Sequence, residues 1–115
     1  MDTSQASEAF SALSHPGRID IFRLLVKAGP EGLAAGLIAD RIGQRQNTAS
    51  VNLSVLHRAG LVSSAREGRQ VLYKANFASI GAIISFLLED CCQGNSEACG
   101  PLAAYLAQSA PTHSA

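Results

Sequence analysis

Apolar positions recur at helical spacing in five stretches of the chain and at alternating spacing in one. Ala6, Phe10 and Leu13 predict a short helix over 4–13, with Ser4 or Ser7 as its cap. Ser14-His15-Pro16 interrupts it; proline is tolerated at a first helical position, and His15 is read as support for the next helix start. Ile19, Phe22 and Val26 predict a second helix over 16–28, stopped by Gly29-Pro30. Leu37, Ile38 and Ile42 mark a third over 34–42, ended by Gly43, and Ala49, Leu53 and Leu56 a fourth over 46–59, ended by Gly60. The period then shortens. Residues 62–66 and 69–75 flank Glu67-Gly68, a two-residue turn, and read as a β-hairpin. From Phe77 to about Asp90, Ile80, Ile83, Ile84, Leu87 and Leu88 restore the helical period, with Asn76 as cap. Past Gly94 the pattern fades, and residues 103–115 are expected to be a disordered tail.

This order predicts a mostly α chain with one two-stranded hairpin. Two helices joined by a tight turn (34–42 and 46–59) and followed by a hairpin make a winged helix-turn-helix. Residues 1–92 would form the DNA-binding and dimerisation domain, and 93–115 a cysteine segment with a tail. In that geometry the second helix of the pair enters the major groove with its N-terminal residues at the base edges. Here those residues are Gln46, Asn47, Thr48 and Ser50, amides and hydroxyls that can bond bases or phosphates, with Val51 able to meet a thymine methyl. The bland alternative is that Asn47 and Thr48 only cap the helix.

Composition sharpens this reading through its distribution. The 115 residues are 47% hydrophobic and 16% charged, which fits one folded domain and argues against wholesale disorder. No apolar run is long enough to span a bilayer. The first 15 residues carry no Lys or Arg and do not resemble a secretory signal, so the expected compartment is the cytoplasm. Formal net charge is zero, yet residues 41–74 hold six basic groups (Arg41, Arg45, Arg58, Arg66, Arg69, Lys74) against Glu67 alone. A basic middle between two mildly acidic ends suits a surface that meets phosphates. Arg66, Arg69 and Lys74 of the hairpin are the expected phosphate contacts, with operator double-stranded DNA as partner. No Ser-His-Asp set, phosphate loop or carboxylate pair stands out, so no enzyme is expected.

Three stretches resemble the ArsR-type family of dimeric, metal-sensing bacterial repressors: ALSHPGRIDIFRLL at 12–25, QNTASVNLSVLHRAGLV at 46–62 and the wing AREGRQVLYKA at 65–75. The resemblance covers about residues 6 to 92. One position departs from the family pattern: Asn52 stands where the family usually has histidine. The apolar face of the last helix is wider than one small domain can cover. The resemblance pairs the first and last helices across a two-fold axis, implying a homodimer with Phe10, Leu13, Ile80, Ile83, Ile84 and Leu87 at its interface.

Family members sense different inducers with differently placed ligands. The Cys-x-Cys box that some carry before the recognition helix is missing from GLAAGLIAD at 32–40, and residues 76–90 lack the histidine that zinc sensors use. The three cysteines fall instead in CCQGNSEAC at 91–99, which resembles the subgroup whose arsenite site is three C-terminal cysteines. The chemistry is compatible: trivalent arsenic is soft, takes three ligands in a pyramid and prefers thiolates. Cys91, Cys92 and Cys99 are therefore the candidate ligands for arsenite or antimonite as inducer, with no cofactor needed for DNA binding. Other soft metals (Cd, Pb, Zn) or thiol oxidation at the same cysteines remain alternatives, as does a metal-binding carrier that never meets DNA.

Overall fold

The computed structural model describes residues 1–88. Its helices are α1 (Thr3–Leu13), α2 (Pro16–Ala28), α3 (Ala35–Ile42), α4 (Gln46–Arg58) and α5 (Phe77–Leu88). Its strands are β1 (Leu33–Ala34), β2 (Val62–Glu67) and β3 (Gln70–Ala75), and a single 3-10 turn spans Gly29–Glu31. The strands form one antiparallel sheet in the order β1-β3-β2.

The cap of α1 is Asp2, not Ser4 or Ser7. Its carboxylate accepts from the Gln5 amide at 2.8 Å, and the Gln5 side chain accepts from the Asp2 amide at 2.9 Å, a reciprocal capping box. The buried face of α1 is Ala6, Ala9 and Ala12, while Phe10 is exposed. Small side chains let α1 lie close to the body, an advantage that a search for large apolar residues overlooks. In α2 the buried set is Ile21, Phe22 and Leu25; Ile19 and Val26, expected inward, are exposed. Both stripes have helical spacing, so periodicity alone does not choose between them. Leu37 is likewise exposed; α3 buries Ile38, as the pattern predicts, and Ala39 beside it. The fully buried side chains Ile21, Leu25, Ile38, Leu53, Leu56 and Leu61 form the centre of the core. Each contributes roughly 1.5–3 kcal/mol by leaving water. Ala49, Leu53 and Leu56 of α4 are inward as the pattern predicts.

In the hairpin, Glu67 pairs with Gln70, so the turn is Gly68-Arg69, one residue later than Glu67-Gly68. Gly68 has φ +65°, and a positive φ at the first loop position is what tight two-residue hairpins demand. The third strand, β1, has no signature in the sequence because two residues cannot show a period. Leu33 pairs with Tyr73 and Ala34 with Leu72. Gly32 makes this approach possible: its φ is +71°, and a Cβ there would stand 2.5 Å from the Tyr73 carbonyl oxygen.

Asn76 caps α5 as expected, its Oδ1 accepting from the Ser79 amide at 3.2 Å. The same side chain donates through Nδ2 to the Gly60 carbonyl at 3.1 Å. Ser79 Oγ donates to that carbonyl at 2.6 Å, and the Asn76 amide donates to the Leu61 carbonyl at 2.9 Å. The start of α5 is thus bonded to the chain just beyond the end of α4.

Candidate nucleic-acid interface

The helix pair is held at its corner by Gly43, which sits in the left-handed region with φ +78° and donates to the Ala39 carbonyl at 2.9 Å. Past this corner, Arg45 is the N-cap of α4 and makes no side-chain cap bond. That sets aside the capping reading of Asn47 and Thr48. They lie inside the first turn, not at the cap, and both are exposed. Gln46, Ser50 and Val51 are exposed as well, Val51 at 62%. A valine so exposed on the outer face of a core-packed helix gains nothing from the fold and suits contact with an apolar group such as a thymine methyl. The first-turn amides receive no side-chain cap, leaving donors and the positive end of the helix dipole on the same side.

The wing residues separate. Arg69 is in the turn at the tip, and Arg66 is on β2 opposite Val71; both are exposed. Lys74 pairs with Ser63 and is half-buried, its Cγ 2.8 Å from where a Gly32 Cβ would stand. By strand alternation Arg66 and Lys74 lie on opposite faces of the hairpin. The three cations that the sequence groups together are therefore one at the tip, one near it and one far down the other face. Arg58, counted in the basic segment, is also elsewhere. It lines a cleft of about 260 Å³ with Glu8, Ser11, Ala12, Val55 and Ala59, between α1 and the end of α4.

Sequence reasoning missed the residues that hold α4 from behind. Asn52 is half-buried and bonded to Arg18 and Gln44, so it is part of the scaffold under the recognition helix. Two unlike amides eight residues apart give no sequence signal for such a contact. His15 is the N-cap of α2 but makes no side-chain cap bond; only its carbonyl is used, by the Arg18 and Ile19 amides. Among the expected interface residues, Phe10, Ile84 and Leu87 are exposed and Leu13 and Ile80 half-buried. Ile83, at 4% exposure, packs into its own chain's core. Cys91, Cys92 and Cys99 lie outside the described residues. Among the described residues no helix is long and apolar enough to cross a membrane.

A helix pair with an exposed amide- and hydroxyl-rich second helix, flanked by an arginine-tipped hairpin, is a winged helix-turn-helix DNA-binding module. Residues 13–65 match the family model described as a helix-turn-helix domain. The chain is 32% identical over 92 residues to the uncharacterised HTH-type transcriptional regulator YbzH of Bacillus subtilis, spanning 70% of this chain and 92% of that one. Its fold is similar to an ArsR-like transcriptional regulator from Rhodococcus sp. RHA1, with a TM-score of 0.66, 26% identity and coverage of 92% and 93% of the two chains. It is also similar to the homodimeric winged helix-turn-helix domain of Mb0332 from Mycobacterium bovis, a possible ArsR-family regulator, with a TM-score of 0.61, 28% identity and coverage of 80% and 85%. The chain belongs to the ArsR-type winged-helix family of DNA-binding transcriptional regulators. That family places it among regulators, not enzymes.

Proposed function

We propose that this protein is a cytoplasmic repressor that holds its operator as an apo homodimer and lets go when trivalent arsenic or antimony is bound by Cys91, Cys92 and Cys99. The observation that carries the reading is the position of the thiols: three cysteines within nine residues, the first lying three positions past Leu88 of α5. Donor chemistry supports the inducer class, since three soft thiolates match a soft centre of coordination number three. Position supports the mechanism. The cysteines follow α5, and α5 begins at the Asn76 and Ser79 bonds to the Gly60 carbonyl, just past the recognition helix. Convergence of the three thiolates draws the 93–99 segment towards the end of α5, and any shift of that helix reaches α4 through this joint. Exposed Phe10, Ile84 and Leu87 supply apolar surface for the second copy, and the homodimeric state of Mb0332 supports a dimer. Two linked recognition helices then change their spacing together.

The test is operator affinity of the wild type and of the Cys91→Ser/Cys92→Ser/Cys99→Ser variant, each with arsenite, cadmium, zinc or a mild oxidant. Arsenite should weaken wild-type binding about 5–150-fold, the span of ordinary allosteric coupling. The triple variant should bind DNA as the wild type does and ignore arsenite. Release from the variant would overturn the site. Release of the wild type by cadmium or oxidant alone would replace arsenic with those inducers.

A further inference from the structure

Four hydrogen bonds behind the recognition helix form one directed relay. Arg18 Nε donates to the Ala12 carbonyl at 2.6 Å, and its Nη1 donates to Asn52 Oδ1 at 3.4 Å. Asn52 Nδ2 donates to Gln44 Oε1 at 3.1 Å, and Gln44 Nε2 donates to the Gly17 carbonyl at 3.2 Å. The direction is fixed at both ends: a guanidinium only donates, and a carbonyl only accepts. Turning over either amide would set donor against donor or acceptor against acceptor. The relay runs from the end of α1, through α2, to the middle of α4 and the corner before it, and back to α2. Gly17 belongs to it by what it lacks, because a Cβ there would stand 2.9 Å from Gln44 Nε2.

We propose that Arg18, Asn52 and Gln44 are positioning residues for DNA reading: they fix the roll of α4, and so the aim of Gln46, Asn47, Thr48 and Ser50, without touching a base. The inference rests on α4 being the helix that reads DNA. Apolar packing by Ala49, Leu53 and Leu56 resists separation of α4 from the core but is weakly directional. With side chains, a helix has a radius of about 5–6 Å, so a roll of about 20° moves a side-chain tip by about 2 Å. That displacement breaks a base contact whose useful distance range is about half an ångström. Relay bonds on one side of α4 oppose this motion, and each depends on the next.

The experiment uses the full chain and a duplex that the wild type selects from a random-sequence pool. Asn52→Ala and Gln44→Ala should each lose about tenfold in affinity for that duplex, the scale of one mis-aimed base contact. Affinity for a scrambled duplex and the salt dependence should stay unchanged, because no phosphate contact is removed. The double variant should bind no worse than either single one, as expected for members of one circuit. Gly17→Ala separates positioning from stability. Alanine is the better helix former, and the atom it displaces is the far end of a flexible side chain. Its melting temperature should therefore equal or exceed the wild type's while its operator affinity falls as in Gln44→Ala. Wild-type affinity in Gly17→Ala, or additive losses in the double variant, would overturn the proposal. So would a changed preference at a single base in Asn52→Ala, which would make Asn52 a direct reader. If the wild type selects no duplex, the DNA-reading assignment fails instead. Amide hydrogen exchange over 46–51 then still decides the relay: faster exchange in Gly17→Ala upholds it and unchanged exchange refutes it.

Discussion

Replacing Arg69 with alanine removes a cation whose only evident work is outside the fold. It is exposed at the second position of the wing turn, and strand pairing ends beside it at Glu67 and Gln70, so the fold should lose little. Each phosphate that a protein neutralises on duplex DNA contributes a slope of about 0.9 to the fall of log affinity with log salt. A homodimer presents Arg69 twice, so the variant's slope should be shallower by about 1.8. Between about 50 and 200 mM salt, a fourfold change, the variant's deficit should therefore shrink about twelvefold, and only about 3.5-fold if one wing per complex is engaged. Fluorescence anisotropy titrations at four salt concentrations, on operator and on scrambled duplex, read both quantities. The loss should be the same on the two duplexes, since a phosphate contact carries no sequence information. Lys74→Ala is the internal control. It sits four residues from Gln70, about 13 Å down the strand, with its stem packed over Gly32. Its removal should leave the slope nearly unchanged. An Arg69→Ala protein with wild-type affinity and slope would refute the assignment of the wing tip to DNA.

Two further outcomes concern the fold that carries the site. Gly32→Ala should destabilise the chain by about 2–4 kcal/mol in urea unfolding, combining left-handed strain with displacement of β1 from the Tyr73 carbonyl; a loss under about 0.5 kcal/mol would mean that β1 does not pair as described. Asn76→Ala should cost about 1–2 kcal/mol, since it removes both the cap of α5 and one of two side-chain donors to the Gly60 carbonyl. Thermal unfolding followed by circular dichroism checks this, and an unchanged midpoint would show that the joint is held without Asn76.

The five helices, the hairpin and their order were legible because five stretches carry enough apolar residues to show a period and glycines end three of the helices. The strand β1 was not. Which face goes inward was less so. In α2, Ile19-Phe22-Val26 and Ile21-Phe22-Leu25 each lie on one helical face, and only tertiary packing against α4 and the sheet selects the second. In α1 the inward face is made of alanines, whose contribution is closeness, not area. The hairpin turn moved by one residue because the requirement for a positive φ at Gly68 outweighed the symmetry of the flanking polar residues. For the site, the exposed N-terminal residues of α4 were readable directly from their chemistry. The wing cations were readable as charges but not as places, because strand register decides that Arg66 and Lys74 face opposite ways. The Arg18, Gln44 and Asn52 contacts join residues up to 34 positions apart and were not readable at all.

These contacts bear on how the proposed release from DNA would work. Beyond its apolar packing, the recognition helix is tied by hydrogen bonds at two points, from different parts of the chain. Near its middle, Asn52 ties it through Arg18 to the end of α1. Just past its end, the Gly60 carbonyl accepts from Asn76 and Ser79 at the start of α5. A helix held at one point would follow whatever moved that point. Held at two, it keeps its aim only while α1 and α5 keep their relation to each other. An event confined to the end of α5 therefore need not reach the DNA surface to spoil reading. It need only move α5 while the relay keeps the middle of α4 fixed, so that the helix pivots about Asn52. On this account, loosening the relay should lower operator affinity and also shrink the further loss that the proposed inducer would cause, because the pivot is gone. If Gly17→Ala lowered operator affinity yet left the inducer-dependent fold-change at its wild-type value, the two holds would be independent, and the pivot would be wrong even if each hold were real.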